Sequence, residues 1–338
     1  MAKLQDLGER EIIRLLVLPW CNGAGDDCGF VPFLGGDLVV TTDPVPEPAA
    51  RLIGGDPDPY WAGWLSVVIN ASDLAAAGAE PLGFVSAIEA PPLTEVEDLG
   101  RFLQGVREAC EVERLRYVGG NLREGPKLTA VGTGFGRCQA GKGLRRSGAK
   151  PGETIISVGE GGCFWRDALK IRAGLSLDSK DESPLFKPRS KLAAVQALAE
   201  AGIITAAIDN SDGLLPSLLQ LAEASNCGIN LNLDLLSVEG AREIEVDPAR
   251  LWLGWGDWNV IASIPADALA KAMEITGRQG TISRQIGSTV GGSPGVVLSR
   301  GGVSCAAPRL ESERFAPDSW FSQGIDAYVE RLLKIGLP

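Results

Sequence analysis

The chain has 338 residues, 45% of them hydrophobic and 22% charged, with a net charge of −11. This length and balance predict a globular chain with two cores rather than one, and the acidic excess excludes a general nucleic-acid binder, whose partner demands clustered Lys and Arg. The absence of histidine excludes Ser-His-Asp and Cys-His catalysis, His-ligated zinc and imidazole acid–base chemistry, which leaves carboxylates, Lys, Arg, backbone dipoles or metal.

In chain order, a β-branched run over 37–42 predicts a strand ending at Asp43. Residues 60–77 predict a helix with Gly78 as its C′ residue. The stretch 61–79 is nearly apolar, but Ser66, Asn70 and Asp73 interrupt it, so it reads as a buried helix and not a membrane span. A strand over 82–88, an amphipathic helix over 95–114 and an alternating strand over 127–136 follow. Gly and basic residues cluster over 136–152, a domain junction. The second part opens with a strand over 154–158, then a polar stretch over 177–188 that reads as a mobile loop. Helices at 190–201, 214–224 and 266–277 alternate with strands at 205–208, 231–233, 259–264 and 282–290. The expected division is 1–138 and 139–338.

The seven cysteines (Cys21, Cys28, Cys110, Cys138, Cys163, Cys227 and Cys305) form no C-x-x-C pair. Their scatter suggests reduced thiols and a cytoplasmic protein, and the first residues carry no apolar signal core.

Four acidic clusters stand at predicted strand or helix ends: Gly25-Asp26-Asp27, Thr41-Thr42-Asp43, Ser72-Asp73 and Asp209-Asn210-Ser211-Asp212. Carboxylates this far apart in sequence are costly to gather unless hard cations hold them, and Mg²⁺ with nucleotide phosphates is the commonest case. Each cluster also has a plainer reading. Asp26-Asp27 fits a solvated Gly-rich turn, and Asp43 before Pro44 fits ordinary turn chemistry. Ser66, Asn70 and Asp73 share one helix face and fit a hydrogen-bonded core network, although a buried Asp73 needs a partner. Ser211 or Asp212 fits an N-cap, but Asp209 and Asp212 together exceed what capping needs.

Two phosphate-loop patterns fail. Gly136-Arg137-Cys138-Gln139-Ala140-Gly141-Lys142 is followed by Gly143 in place of Ser or Thr. Gly159-Glu160-Gly161 meets Phe164 where the last glycine should stand. Arg145, Arg146 and Lys150 form a small basic patch, either a solvated linker or a clamp on triphosphate oxygens.

Taken in order, the clusters resemble thiamine-monophosphate kinase, of the superfamily that includes aminoimidazole ribonucleotide synthetase and selenophosphate synthetase. Further matching stretches are Asn70-Ala71-Ser72-Asp73-Leu74-Ala75-Ala76-Ala77-Gly78-Ala79, Gly119-Gly120-Asn121, Arg146-Ser147-Gly148-Ala149-Lys150-Pro151-Gly152 and Ile208-Asp209-Asn210-Ser211-Asp212-Gly213-Leu214. The resemblance implies a two-domain α/β fold with mixed sheets: an N-terminal domain that dimerises through its sheet, and a C-terminal α/β domain. It implies ATP as co-substrate, Mg²⁺, and a homodimer acting on thiamine monophosphate or another small acceptor, without nucleic acid or membrane. By position, Asp27, Thr41, Thr42, Asp43, Asp73, Asp209 and Asp212 would hold Mg²⁺, with Asp43 and Asp212 nearest the chemistry. Arg146, Ser211, Gly120 and Asn121 would meet ATP, and Asp257, Trp258 and Trp320 the acceptor. Such chemistry suits a chain without histidine, because an ionised phosphate monoester needs alignment and charge neutralisation more than a base.

Three positions depart from the family pattern. Asn121 replaces an acid, Ala50 falls where the family has a histidine, and Gly256 stands where a glutamate would contact substrate. Two alternatives therefore stay open. One is a relative that phosphorylates an amide or carboxyl oxygen, its pocket lined by Trp61, Trp64, Trp255 and Trp258. The other is a catalytically silent nucleotide-binding protein, which retention of the five acids Asp27, Asp43, Asp73, Asp209 and Asp212 opposes.

Overall fold

The structure, a computed structural model, describes residues 3–21, 25–310, 314–315 and 319–338. A first helical stretch, α1 (Glu9–Ile12), continues as a wider π-turn over Ile13–Val17. Five strands then form one sheet: β1 (Gly29–Phe33), β2 (Gly36–Pro44), β3 (Glu80–Ala90), β4 (Arg116–Glu124) and β5 (Thr129–Gln139), in the order β1-β2-β5-β3-β4. Only β3 and β4 run parallel. A short α2 (Ala49–Leu52) precedes α3 (Tyr60–Ala76) and α4 (Val96–Val112).

Every residue of α3 is buried except Ala62 and Asp73. A helix apolar all round needs cover on all sides, and α3 has it: β2, β5 and α4 on one side, elements of the second sheet on the other. Two glycines bring α3 and α4 together. A Cβ at Gly63 would sit 1.9 Å from the Phe102 carbonyl oxygen, and one at Gly105 would sit 2.1 Å from that of Tyr60. Helix α3 ends as expected, with Gly78 at φ +65°.

The second sheet has seven strands. They are β6 (Thr154–Val158), β7 (Ala206–Asp209), β8 (Gly228–Asn232), β9 (Val260–Ile264), β10 (Ser283–Val290), β11 (Gly295–Arg300) and β12 (Val303–Ala306), in the order β12-β11-β8-β10-β6-β9-β7. Its helices are α5 (Cys163–Arg172), α6 (Leu192–Glu200), α7 (Leu214–Ser225), α8 (Pro248–Leu253), α9 (Leu269–Arg278), α10 (Trp320–Gln323) and α11 (Ile325–Lys334). The mixed α/β architecture expected from the sequence is the one found. Among the described residues, no helix is long and apolar enough to cross a membrane.

The sequence missed β1, β4, β11, β12, α1, α2, α5, α8, α10 and α11. Strand β4 is exposed almost throughout and carries Gly119-Gly120, so neither burial nor β-branching marks it. The expected helix over 266–277 begins with a 3₁₀ turn, Ala266–Ala268, and becomes α-helical only at Leu269. The stretch 177–188 has no regular structure, yet its far end is anchored rather than free. Leu185 and Phe186 are buried, Phe186 meets the edge of Trp61 at 5.3 Å, and Ser183 donates to Asp167 at 2.6 Å.

Neither rejected phosphate loop revives. No helix follows Lys142 until α5. Gly159-Glu160-Gly161 does lie between a strand and a helix, but the N-terminus of α5 is already filled: Asp257 accepts from the backbone N–H of Gly162 at 2.6 Å and of Phe164 at 2.8 Å.

Candidate active site

Four chain segments deliver acids to one place. Asp27 stands in the turn before β1, Asp43 near the end of β2, Asp73 in the last turn of α3, and Asp209 closes β7. Carboxylate oxygens of Asp27, Asp73 and Asp209 lie within 4.8 Å of one another. Asp43 and Asp212 line the same cavity, whose volume is about 730 Å³.

Hydrogen bonds fix the three central acids. Thr41 donates its hydroxyl to Asp73 Oδ2 at 2.5 Å. Asp209 accepts from Ser72 at 3.0 Å and from Ser211 at 3.0 Å. The Arg146 guanidinium pairs with Asp27 and donates to Gln220 Oε1 at 2.8 Å, while its backbone N–H donates to Asp26 at 2.9 Å. The basic patch thus divides: Arg146 enters the site, and Arg145 stacks on the Phe30 ring at 3.3 Å and pairs with Asp26.

Burial raises the carboxyls. Asp27 is pushed up to about 7, with Arg146 opposing the shift and Asp209 adding to it. Asp209 rises to about 6, from burial and then from Asp212. Asp73 goes well above its usual range through burial and the charges of Asp209, Asp43 and Asp27. Asp212 opens to the cavity, yet surrounding protein lifts it to about 6. Eight acids and three arginines line the cavity among the described residues. Among the described residues the one guanidinium at this floor is bound to Asp27 and only partly offsets Asp209, and buried charge of this kind is stable only when neutralised. The donor set is all oxygen, carboxylates with a threonine hydroxyl, which fits a hard divalent ion such as Mg²⁺.

The remaining predicted residues divide. Ser211 lies in the site, but neither it nor Asp212 caps α7; the cap position is Gly213, with no side-chain bond. Thr42 borders the cavity, but its hydroxyl donates across the sheet to the Gly132 carbonyl at 3.0 Å. Ser66 and Asn70 belong to the core network: Asn70 donates to the Ser66 carbonyl and accepts from the Gly134 N–H.

Gly120 and Asn121 are not brought to the acids. Pro44, Val131, Ala87 and Asn121 form one row across β2, β5, β3 and β4, so Asn121 is three strand spacings, roughly 14 Å, from Pro44. It borders a separate cavity of about 440 Å³ with Arg123 and Lys127.

On the acceptor side, Asp257 is spent on capping α5, and its burial raises it to about 7. Trp258 does line the cavity, as do Trp61 and Trp255. Trp64 does not: it is core, with its indole N–H on the Pro188 carbonyl at 2.7 Å. Trp320 opens α10, and its side chain lies outside the described residues. Ala50 is fully buried in α2. A Cβ at Gly256, where φ is +107°, would sit 2.7 Å from the Phe164 ring. The cavity therefore has an acidic floor and an apolar wall of Trp61, Leu65, Phe164, Phe186, Trp255 and Trp258.

Sequence reasoning missed the cavity's outer rim, formed by Glu9, Arg10, Ile13 and Val17 of the first helical stretch together with Arg314 and Phe321. The apolar spacing of Ile12, Ile13, Leu15 and Leu16 amid charges was the available signal.

Two family profiles match the chain: AIR synthase related protein, N-terminal domain, over residues 25–138, and AIR synthase related protein, C-terminal domain, over residues 150–300. A thiamine-monophosphate kinase from Halobacterium salinarum is 32% identical over 301 residues, covering 88% of this chain and 94% of that protein. The solved structure of AaThiL complexed with AMPPCP and TMP superposes with a TM-score of 0.78 at 22% identity, covering 93% of this chain and 99% of that one. The tt0281 protein from Thermus thermophilus superposes with a TM-score of 0.76 at 27% identity, covering 91% and 100%. By these matches the chain belongs to the AIR synthase related family, among its thiamine-monophosphate kinases.

Proposed function

We propose that this chain transfers the γ-phosphoryl group of ATP to thiamine monophosphate, giving thiamine diphosphate and ADP, with Mg²⁺. The observation that carries this reading is the convergence of Asp27, Asp73 and Asp209 within 4.8 Å at the floor of a cavity with an apolar aromatic wall. In the reaction, an oxygen of the acceptor phosphate forms a bond to the γ-phosphorus while the bond to the β-bridging oxygen breaks. Both partners are anions and the nucleophile is already ionised, so the protein must align and neutralise rather than remove a proton. Asp27, Asp43, Asp73, Asp209 and Asp212 would hold Mg²⁺, which when bound offsets phosphate charge. Thr41, Ser72 and Ser211 fix carboxylate orientation. Arg146 stands against Asp27 at the same floor and would meet the phosphate oxygens of ATP. Trp61, Trp255 and Trp258 exclude water and offer flat faces to an aromatic acceptor.

The wider assignment comprises domains 1–138 and 139–338, a homodimer and a cytoplasmic location. The two separate sheets support the division. Exposed Val31, Phe33, Val118, Leu122 and Val131 on the first sheet support association through it. Seven free cysteines fit a reducing compartment.

One observation favours a second reading. No glutamate fits at Gly256 without displacing Phe164, so the acceptor's organic part is held differently from the family pattern, and a different phosphorylated acceptor fits the same floor. Incubation with MgATP and thiamine monophosphate separates the two: formation of thiamine diphosphate and ADP supports the kinase, whereas nucleotide binding without turnover sinks it. Asp212→Asn is expected to weaken MgATP binding, and unchanged affinity would contradict the metal assignment.

A further inference from the structure

Two ties of different kinds hold Arg146 at the cavity floor. One terminal nitrogen of its guanidinium pairs with Asp27, and the other donates to Gln220 Oε1 at 2.8 Å. The third nitrogen, Nε, is buried with no hydrogen-bond partner among the described residues, so these two ties fix the head group. They are not equally durable. The Asp27 carboxyl is 5% exposed and belongs to the three converging acids whose oxygens fit a divalent ion. A cation bound there repels the guanidinium and competes with it for the same carboxylate. Gln220 is a neutral amide on α7 and not a member of that acid cluster. It can meet an arginine only through its oxygen, because a guanidinium offers donors and no acceptor. Helix α7 also holds the backbone behind Arg146. Ser225 donates its hydroxyl to the Arg146 carbonyl at 3.1 Å and accepts from the Ala149 N–H at 3.1 Å. Arg146 and Gln220 both line the cavity.

We propose that Gln220 is a positioning residue that keeps the Arg146 guanidinium at the floor when Asp27 turns from the arginine to the metal. The terminal nitrogen released by Asp27 is then presented to the nucleotide phosphates, while the one bound to Gln220 stays in place. Without metal, Asp27 neutralises Arg146; with metal, Arg146 is left to neutralise phosphate, a charge-assisted contact stronger than one between neutral groups. Metal and nucleotide therefore favour each other's binding through this one side chain, and the coupling is reciprocal. The role rests on the reading of the floor as a site for Mg²⁺ and nucleotide phosphates, not on the identity of the acceptor.

The test titrates the full chain calorimetrically with AMPPCP, with and without Mg²⁺, and a cooperative thermal melt shows that each variant is folded. Wild-type protein should bind AMPPCP more tightly when Mg²⁺ is present. Gln220→Met keeps the side-chain volume and removes the acceptor. It should weaken Mg-AMPPCP by about 10-fold and leave metal-free AMPPCP unchanged, so the gain from Mg²⁺ shrinks. Gln220→Ala should do the same, which separates the lost hydrogen bond from any effect of the methionine. In an Arg146→Ala background, Gln220→Met should cause no further loss, because the two residues act as one unit. Mg-AMPPCP affinity equal to wild type in both Gln220 variants would overturn the proposal. So would an equal loss with and without Mg²⁺, or a loss that adds in full to that of Arg146→Ala, since either would make Gln220 a packing residue while the nucleotide site stands. Failure of wild-type protein to bind Mg-AMPPCP at all would discard the nucleotide reading of the floor together with the role of Gln220.

Discussion

Ser72, in the last turns of the buried helix α3, donates its hydroxyl to Asp209 Oδ2 at 3.0 Å, across the junction of the two sheets. An acid of the second sheet is thus oriented by a residue packed on the first. Ser72→Ala removes a buried donor and is expected to cost about 1–3 kcal/mol of stability. The loss of an orienting partner should also lower Mg²⁺ affinity by about 10- to 100-fold. Urea unfolding and Mg²⁺ titration with AMPPCP read the two effects; a stability loss with unchanged Mg²⁺ affinity would show that Ser72 only packs.

Metal-free protein should lose stability as pH rises. Asp27, Asp209 and Asp212 have folded values of about 7, 6 and 6, above the ordinary value of 3.8. A group raised on folding contributes stability below its unfolded value and loses it as pH climbs through the folded one. The melting temperature without divalent ions should therefore fall between about pH 4 and 7, and Mg²⁺ should restore it most at the alkaline end. Asp73→Asn, which removes one repelling charge, should flatten the fall. A metal-free melting temperature that rises across this range in wild type would contradict the geometry of the floor.

Gly256→Glu is expected not to recreate a substrate contact. The new Cβ would stand 2.7 Å from the Phe164 ring at a φ of +107°. Strain of that kind costs about 1–3 kcal/mol, and Phe164 would have to leave the wall of the cavity. The variant should melt lower and show a raised Michaelis constant for the acceptor. A tighter acceptor with unchanged stability would show that the loop readily rebuilds.

Gly63→Ala tests the helix pair α3–α4. The added methyl would meet the Phe102 carbonyl at 1.9 Å, so the helices must separate. Overpacking of this kind costs about 1–3 kcal/mol or more. Because α3 carries Asp73, activity should fall along with the urea midpoint. Full activity at reduced stability would mean that the floor tolerates movement of α3.

The sequence disclosed the parts of this protein whose chemistry is local. Strands β6 and β9 are buried on both faces, so they read as apolar runs, and α3 announced itself by length. The acids stood out because five of them in one order is an uncommon pattern. What stayed hidden depended on distant neighbours. Asp257 reads from sequence as a substrate contact, while its carboxylate bonds the start of α5; Asn121 reads as an ATP contact, while within one chain its strand stands at the far edge of the sheet from β2. The loop at 177–188 seemed free because polarity conceals how firmly Leu185 and Phe186 are packed.

Helix α3 gives the two halves of the cavity unequal freedom to change. The residues that orient phosphate chemistry, Ser72 and Asp73, sit on an element enclosed by both sheets, so altering them disturbs the cores of both. The acceptor wall draws Trp255 and Trp258, both only partly buried, from the segment between α8 and β9, outside any helix or strand. Over generations such a protein can exchange one acceptor for another while its handling of nucleotide stays fixed, and the departures at 50 and 256 both lie outside α3.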